Sequence, residues 1–352
     1  MIPTESTPGV LGRARTLVAP ALRAAVERLS PELQPVAAYH FGWVDESGAP
    51  TGADGGKGVR PALALLSAEA AGASSIVGVP GAVAVELVHN FSLIHDDVID
   101  GDVERRHRAT VWSLFGIGRA VIVGDALVAL AQQIVLDPAE ILPARDGVAE
   151  QLALEGRRAA RVVADATAAM IAGQALDMAF EALPEVDVEG CLAMEAGKTG
   201  ALLGCAASIG AVLAGADDRV VAALRRYGAE LGLAFQAVDD LLGIWGDPAT
   251  TGKSTFSDLR SHKKSLPVAA ALQSKQPGVE ELAALLRRAD LDEADVARAA
   301  ALVEACGGRS TAEEIADQRL DNALSSLENV GLTPAAHAEL IEVARFVVDR
   351  SF

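Results

Sequence analysis

The sequence predicts an all-α protein, and three observations carry that expectation. Alanine and leucine, both strong helix formers, recur throughout. Long stretches space their apolar residues three and four apart, as a helix with one buried face requires. Strict apolar–polar alternation, which a half-buried strand would need, is nearly absent.

Each helix has its own signals. The first runs from about Thr16 to Leu29. GGKGVRP places Pro61 at the start of a second, ending near Ala71, because a first turn does not need the donor that proline lacks. A third spans Pro80 to Asp100, apolar for several turns and acidic at its end. Further helices are expected over Ile117–Val135, Glu150–Ala182, Val188–Leu213 and Asp217–Trp245, with several short amphipathic ones from about Val279. Gly, Pro and Asp clusters separate them at Trp43–Gly58, Leu136–Gly147, Leu183–Asp187, Gly246–Ser265 and Ser274–Gly278. None of these breaks reads as a domain linker. The expectation is a flexible amino-terminal tail over residues 1–15 and a single all-α domain over residues 16–352.

Composition narrows the function classes. The formal charge is 30 − 48 = −18. Nucleic-acid binding and attachment to an anionic membrane surface both need basic surface, so neither is expected. Cys191, Cys205 and Cys306 are widely spaced and form no CxxC, which argues against a disulfide framework or a zinc site and favours a cytoplasmic protein. The amino terminus, MIPTESTPGVLGRAR, has no apolar signal core. No uninterrupted apolar run approaches about 18 residues, so no membrane span is expected.

Two acidic clusters carry the chemistry. HDDVID holds Asp96, Asp97 and Asp100, and VDDLLG holds Asp239 and Asp240. Asp96 and Asp100 project from one helix face. Like charges at that spacing repel, and acids at a helix carboxy terminus oppose its dipole. A bound divalent cation would offset both costs. Carboxylates without His or Cys suit hard metals, and Mg²⁺ keeps waters and bridges to substrate phosphates. A solvated acidic helix end is the plain alternative for one cluster, but two clusters followed by basic residues weigh against it. Those basic residues are Lys57 and Arg60 in GGKGVRP, Arg105 and Arg106 in ERRHRATVW, Lys198 in GKTG, and Lys253, Lys263 and Lys264. In an acidic chain they read as an anion-binding set. GKTG lacks the spacing of a P-loop.

In order, GGKGVRP, ELVHNFSLIHDDVID, ERRHRATVW, GDAL, GQALD, KTG, AFQAVDD, GDPATTGK, SDLR and KKSLP resemble the landmarks of the trans-polyprenyl diphosphate synthases, which are type I isoprenoid synthases, over roughly residues 50–270. The resemblance implies a single large helical bundle around a central cavity, usually as a homodimer. It implies the joining of isopentenyl diphosphate to an allylic diphosphate, with three Mg²⁺ ions assisting ionisation. Carried over by position, Asp96, Asp100 and Asp239 would ligate metal, with Asp240 supporting. Lys198, Thr199, Gln236, Lys253, Lys263 and Arg105 would meet the allylic substrate or its diphosphate. Lys57, Arg60, His89 and Arg106 would grip isopentenyl diphosphate. Gln174 and Asp177 would line the cavity, Asp177 orienting a metal-bound water or Lys198. His95 reads as structural.

Phe91 lies about 7.5 Å before Asp96 along the helix, and Ser92 beside it is small. An aromatic there resembles the geranylgeranyl (C20) pattern, with farnesyl second. The second motif departs from the usual DDxxD at Gly243, and His107, Ala109 and Trp112 depart from the usual pattern after the first. Gly243 motivates a further reading, an inactive regulatory or scaffold subunit. A terpene cyclase of the same fold would leave Lys57, Arg60 and Arg106 without purpose.

Overall fold

The computed structural model describes residues 8–52, 58–138, 141–142, 148–247, 255–288 and 290–348. The amino-terminal half runs α1 (Gly9–Val26), α2 (Gln34–His40), α3 (Val59–Ala70), α4 (Ser75–Asp100), a hairpin of β1 (Glu104–Arg105) and β2 (Arg108–Ala109), α5 (Val111–Phe115), α6 (Ile117–Leu136) and α7 (Val148–Glu181). There follow α8 (Val188–Glu195), a π-helical turn (Ala196–Gly200), α9 (Ala201–Leu213), α10 (Asp218–Trp245), α11 (Ser257–Arg260) and α12 (Leu266–Gln273). The chain ends with α13 (Val279–Leu286), α14 (Glu293–Ala305), α15 (Gly308–Ser325) and α16 (Pro334–Val348). Among the described residues the strand structure is that hairpin and an isolated bridge between Val44 and Pro50. The all-α expectation holds.

The chain divides into two compact units. One comprises Met1–Thr167, Cys205–Arg225 and Leu327–Val343; the other comprises Ala168–Gly204, Arg226–Ser326 and Ala344–Phe352. In the first, α4 is central and packs on α3 and α6. Its apolar run sets this position: Val79, Val83, Val85, Leu87, Val88 and Ile94 are all fully buried. Burial of each such side chain is worth roughly 1.5–3 kcal/mol. In the second unit, Phe180, Met194, Leu241, Leu242 and Leu266 form one core, and Ile244, Leu259, Leu282, Val296 and Val303 another.

Several boundaries differ from expectation, each for a local reason. α1 starts at Gly9 rather than Thr16, because Val10, Leu11 and Ala14 are buried; the expected flexible tail over residues 1–15 is therefore helical from Gly9. α4 starts at Ser75 and runs through Pro80, which the sequence suggested as its first residue. Burial of Val77 and Val79 holds that extra turn in place despite the donor that Pro80 lacks. The Val188–Leu213 segment is helical, but the π turn interrupts it. The expected breaks contain α11 and lead into α12.

Three helical segments are long and apolar enough to cross a membrane, against the expectation that none would be: Ser75–Asp100, Ile117–Leu136 and Val188–Leu213. Within an 18-residue apolar window of each, 72%, 44% and 78% of residues are buried inside the protein, so α6 is the least covered of the three.

Candidate active site

In the first unit, α4 carries HDDVID through its last turn, and Gly101 closes the helix in the left-handed conformation. Asp96 is half-buried and Asp100 exposed. Asp97 is turned inward at 1% exposure and accepts from Arg105 Nε at 2.7 Å. Burial raises its pKa and the Arg105 guanidinium opposes the rise. Arg105, expected on the allylic diphosphate, is thus engaged through one of its donors with the middle acid of the cluster.

The hairpin positions the next cations. Its register pairs Glu104 with Ala109 and Arg105 with Arg108. Arg106 and His107 form the two-residue turn, with φ of 53° and 60°. Both lie in the left-handed region, where non-glycine residues are costly and which a primed hairpin turn demands. Arg108 anchors the hairpin by donating to the Tyr39 carbonyl at 3.1 Å and the Val44 carbonyl at 2.8 Å. Tyr39 donates back to the Ala109 carbonyl at 2.8 Å.

His89, about two turns before Asp96, is kept neutral first by burial, then by Arg60 and Arg106. The charges acting on it bring together three of the four residues expected to hold isopentenyl diphosphate; Lys57 lies outside the described residues. Burial also lowers the pKa of Arg60, and Glu86 opposes it. The Arg60 Nε is buried and unpartnered among the described residues, a donor available to an incoming anion. Behind it, Asn90 donates to Glu86 Oε2 at 3.2 Å and faces His40 Nε2 at 3.1 Å. Burial lowers the His40 pKa to about 3. Glu86 and Asn90 stand in the ELVHN stretch without having been assigned a role, and His40 lies outside every motif.

In the second unit, α7 carries Gln174 and Asp177, and the π turn carries Lys198 and Thr199. A Cβ at Gly173 would lie 2.7 Å from the Gly197 carbonyl carbon and closer to the Lys198 nitrogen, so glycine is needed for this backbone approach. Lys198 Nζ reaches Asp177 Oδ2 at 2.5 Å. Asp177 and Lys198 therefore form an ion pair. Gln174 Oε1 is buried and unpartnered among the described residues.

A chain of polar contacts then runs through α10. Thr199 Oγ1 donates to Gln236 Oε1 at 3.1 Å, and Gln236 Nε2 donates to Asp240 Oδ1 at 3.1 Å. Lys263 Nζ donates to Asp240 Oδ1 at 2.8 Å, and the Leu266 amide donates to Oδ2 at 2.8 Å. Asp240, expected to support the metal ligand Asp239, is 1% exposed and holds Lys263 and the start of α12. Its neighbour Asp239 is half-buried. Burial opposes the Lys263 charge, but Asp240, Asp258 and Asp239 outweigh it and raise its pKa. Glu195, also missed, is buried at the end of α8, where burial and then Asp240 raise its carboxyl well above the usual range. Its position just before GKTG was the one available signal. Lys253 lies outside the described residues.

Phe91 is 8% exposed and meets His95 edge-on, with ring centroids 4.8 Å apart. His95 Nε2 lies 3.1 Å from the Val121 carbonyl of α6, a packing role that matches its structural reading. Ser92 Oγ donates to the His89 carbonyl at 2.8 Å.

Among the described residues, no three His, Cys, Asp or Glu side chains gather to hold an ion. Asp96 and Asp100 are hard oxygen donors on the end of α4, a chemistry that fits a hard cation completed by waters and phosphate oxygens.

Residues 43–303 match the family described as polyprenyl synthetase. The chain belongs to that family. It is 44% identical over 353 residues to the (2E,6E)-farnesyl diphosphate synthase of Mycobacterium tuberculosis, covering 99% of this chain and 94% of that one. It is 41% identical over 350 residues to the geranylgeranyl diphosphate synthase of the same organism, covering 99% and 95%. The crystal structure of a polyprenyl synthetase from Streptomyces coelicolor A3(2) superposes with a TM-score of 0.90 at 51% identity, covering 97% of this chain and 100% of that one. The fold is that of the isoprenoid synthases, and the protein is a short-chain trans-prenyltransferase. The synthase uses isopentenyl and allylic diphosphates as substrates.

Proposed function

We propose that the synthase makes geranylgeranyl diphosphate. The observation that carries this reading is Phe91, a buried ring on α4, backed by His95 against α6. A tail growing from the acidic end of α4 meets this ring after about 7.5 Å of helix. Farnesyl diphosphate is the second reading, supported by the 44% identity to a farnesyl synthase against 41% to a geranylgeranyl synthase.

In this reading Asp96, Asp100 and Asp239 hold Mg²⁺, with Asp240 supporting through Lys263. The metal supplies charge that stabilises the departing diphosphate. Lys198, Lys253, Lys263 and Arg105 share that charge as the allylic C–O bond ionises. Arg60, Arg106, Lys57 and neutral His89 hold isopentenyl diphosphate, with Glu86 and Asn90 steadying Arg60 and His40. Thr199, Gln236 and Gln174 present dipoles to the allylic cation without a strong nucleophile. The isopentenyl double bond attacks that cation, and the released diphosphate takes the proton. Apolar walls keep water from quenching it.

A cytoplasmic homodimer completes the reading. Ile117, Val121 and Ile122 are exposed on α6, an apolar stripe suited to a second copy. Size-exclusion chromatography with light scattering tests this; a monomer at micromolar concentration overturns it.

The deciding experiment supplies Mg²⁺, labelled isopentenyl diphosphate and dimethylallyl, geranyl or farnesyl diphosphate in turn, and sizes the dephosphorylated products. A C20 alcohol is expected. A C15 limit rejects the role of Phe91 and favours the farnesyl reading. No elongation with any starter rejects the transferase reading of this chain in favour of an inactive subunit.

A further inference from the structure

The two acidic clusters differ at one position. In the first, Asp96 is followed at i+4 by Asp100; in the second, Asp239 is followed at i+4 by Gly243. The space beside Gly243 is filled by another acid. A Cβ built at position 243 would fall on the Asp258 carboxylate, 2.6 Å from Oδ1 and closer still to Oδ2 and Cγ. No L-residue with a side chain fits there unless Asp258 moves.

The chain holds Asp258 in that place. The Phe256 amide donates to the Ile244 carbonyl at 3.1 Å, and Ser257 Oγ donates to the Gly243 carbonyl at 3.2 Å. Phe256 adopts a φ of 63° to make this approach, a left-handed conformation that the surrounding bonds must maintain. Asp258 itself is 6% exposed. Its Oδ2 lies 3.5 Å from Lys263 Nζ, and its carbonyl accepts from the Lys263 amide at 2.9 Å. Lys263 is thus bracketed by Asp240 at 2.8 Å and Asp258 at 3.5 Å.

We propose that Asp258 stands in for the carboxylate that the second acidic cluster lacks at Gly243, and that with Asp240 it positions Lys263 toward the diphosphate leaving group. Gly243 is then a requirement of the site, because its missing side chain makes room for the acid supplied from α11. Asp258 is a positioning residue acting through Lys263. The role given to Lys263 rests on the prenyl-transfer reading above.

The test uses the full-length protein and four variants: Asp258→Asn, Asp258→Ala, Gly243→Ala and the exchange Gly243→Asp with Asp258→Ala. Asp258→Asn keeps the shape and removes the charge. It is expected to lower kcat at least tenfold while the KM for isopentenyl diphosphate stays within about threefold, the pattern of an interaction used in the transition state. Gly243→Ala displaces Asp258 and is expected to produce the same split. The exchange returns an acid to the i+4 position and is expected to recover several-fold over Asp258→Ala. Turnover of Asp258→Asn within twofold of the parent overturns the proposal, as does an exchange no better than Asp258→Ala.

A second readout needs no substrate. Gly243→Ala is expected to lower the thermal midpoint, and adding Asp258→Ala is expected to restore part of the loss, since neighbours that clash are non-additive. Strict additivity overturns the juxtaposition. If the parent protein elongates no allylic diphosphate, the prenyl-transfer reading fails, while this stability cycle still judges the apposition of Gly243 and Asp258.

Discussion

Asp177 and Lys198 form an ion pair in the candidate site. Their side chains are 28% and 30% exposed and meet at 2.5 Å. A pair so accessible to water contributes about 0–1 kcal/mol to folding. Asp177→Asn should therefore leave the thermal midpoint nearly unchanged and lower kcat by about tenfold, because Lys198 loses its orientation. A matched loss of stability and turnover would assign the pair to folding alone. Phe91 is the opposite case. It is buried, so Phe91→Ala should cost about 3–5 kcal/mol through the cavity it leaves. The same cavity should lengthen the prenyl product beyond that of the parent. An unchanged product size in a folded variant would remove Phe91 from the floor of the site.

At the scale of elements, the hairpin and the π turn are where the backbone departs from regular structure, and both carry candidate site residues. Arg106 and His107 both hold positive φ in the hairpin turn. Glycine suits the second turn position far better than histidine. His107→Gly should stabilise the protein by about 0.5–1 kcal/mol with turnover retained, measured by chemical denaturation and steady-state kinetics. A loss of turnover would give the His107 side chain a role of its own. The π turn inserts one residue beyond the α-helical repeat at Ala196–Gly200, a deviation that often marks functional positions. Deleting Gly197 should restore regular helix and rotate Lys198 and Thr199 off their partners Asp177 and Gln236. Turnover should fall at least a hundredfold while far-ultraviolet circular dichroism stays native; native turnover would make the π turn incidental.

For the molecule as a whole, buried neutral histidines set the response to acid. The His40 pKa falls from 6.5 to about 3, and that of His89 is also lowered, both chiefly by burial. The unfolded chain binds these protons first. The stabilisation is therefore complete above pH 6.5 and declines as pH falls below it, by up to about 1.4 kcal/mol per unit for each histidine. Glu86 and Asp97 act in the other direction, because burial raises them. The comparison of the parent with His40→Gln isolates one histidine. Between pH 6.5 and 5 the parent should lose roughly 2 kcal/mol more than the variant in urea denaturation. Parallel pH profiles would show that His40 is not held neutral by the fold.

The helices and the acidic clusters were legible in sequence because both are local patterns. Apolar spacing marks a helix, and Asp96 and Asp100 share a face by the helical repeat alone. So were Lys198, Gln236 and Lys263, which stand in short ordered motifs. What could not be read was which charges satisfy one another. Asp240 was read as supporting a metal ligand, but its partners, Lys263 and the Leu266 amide, were not visible in the sequence. Glu195 lies just outside GKTG, and Asn90 in ELVHN and Asp258 in SDLR have no role visible in those motifs. Gly243 looked like a missing acid because the sequence shows only the position along α10. The carboxylate of Asp258 fills that space from α11, and such an apposition exists only once the intervening chain has closed back on the helix. Spacing along a helix is set by covalent geometry, whereas pairing between elements is set by packing and desolvation, which act after the chain has folded.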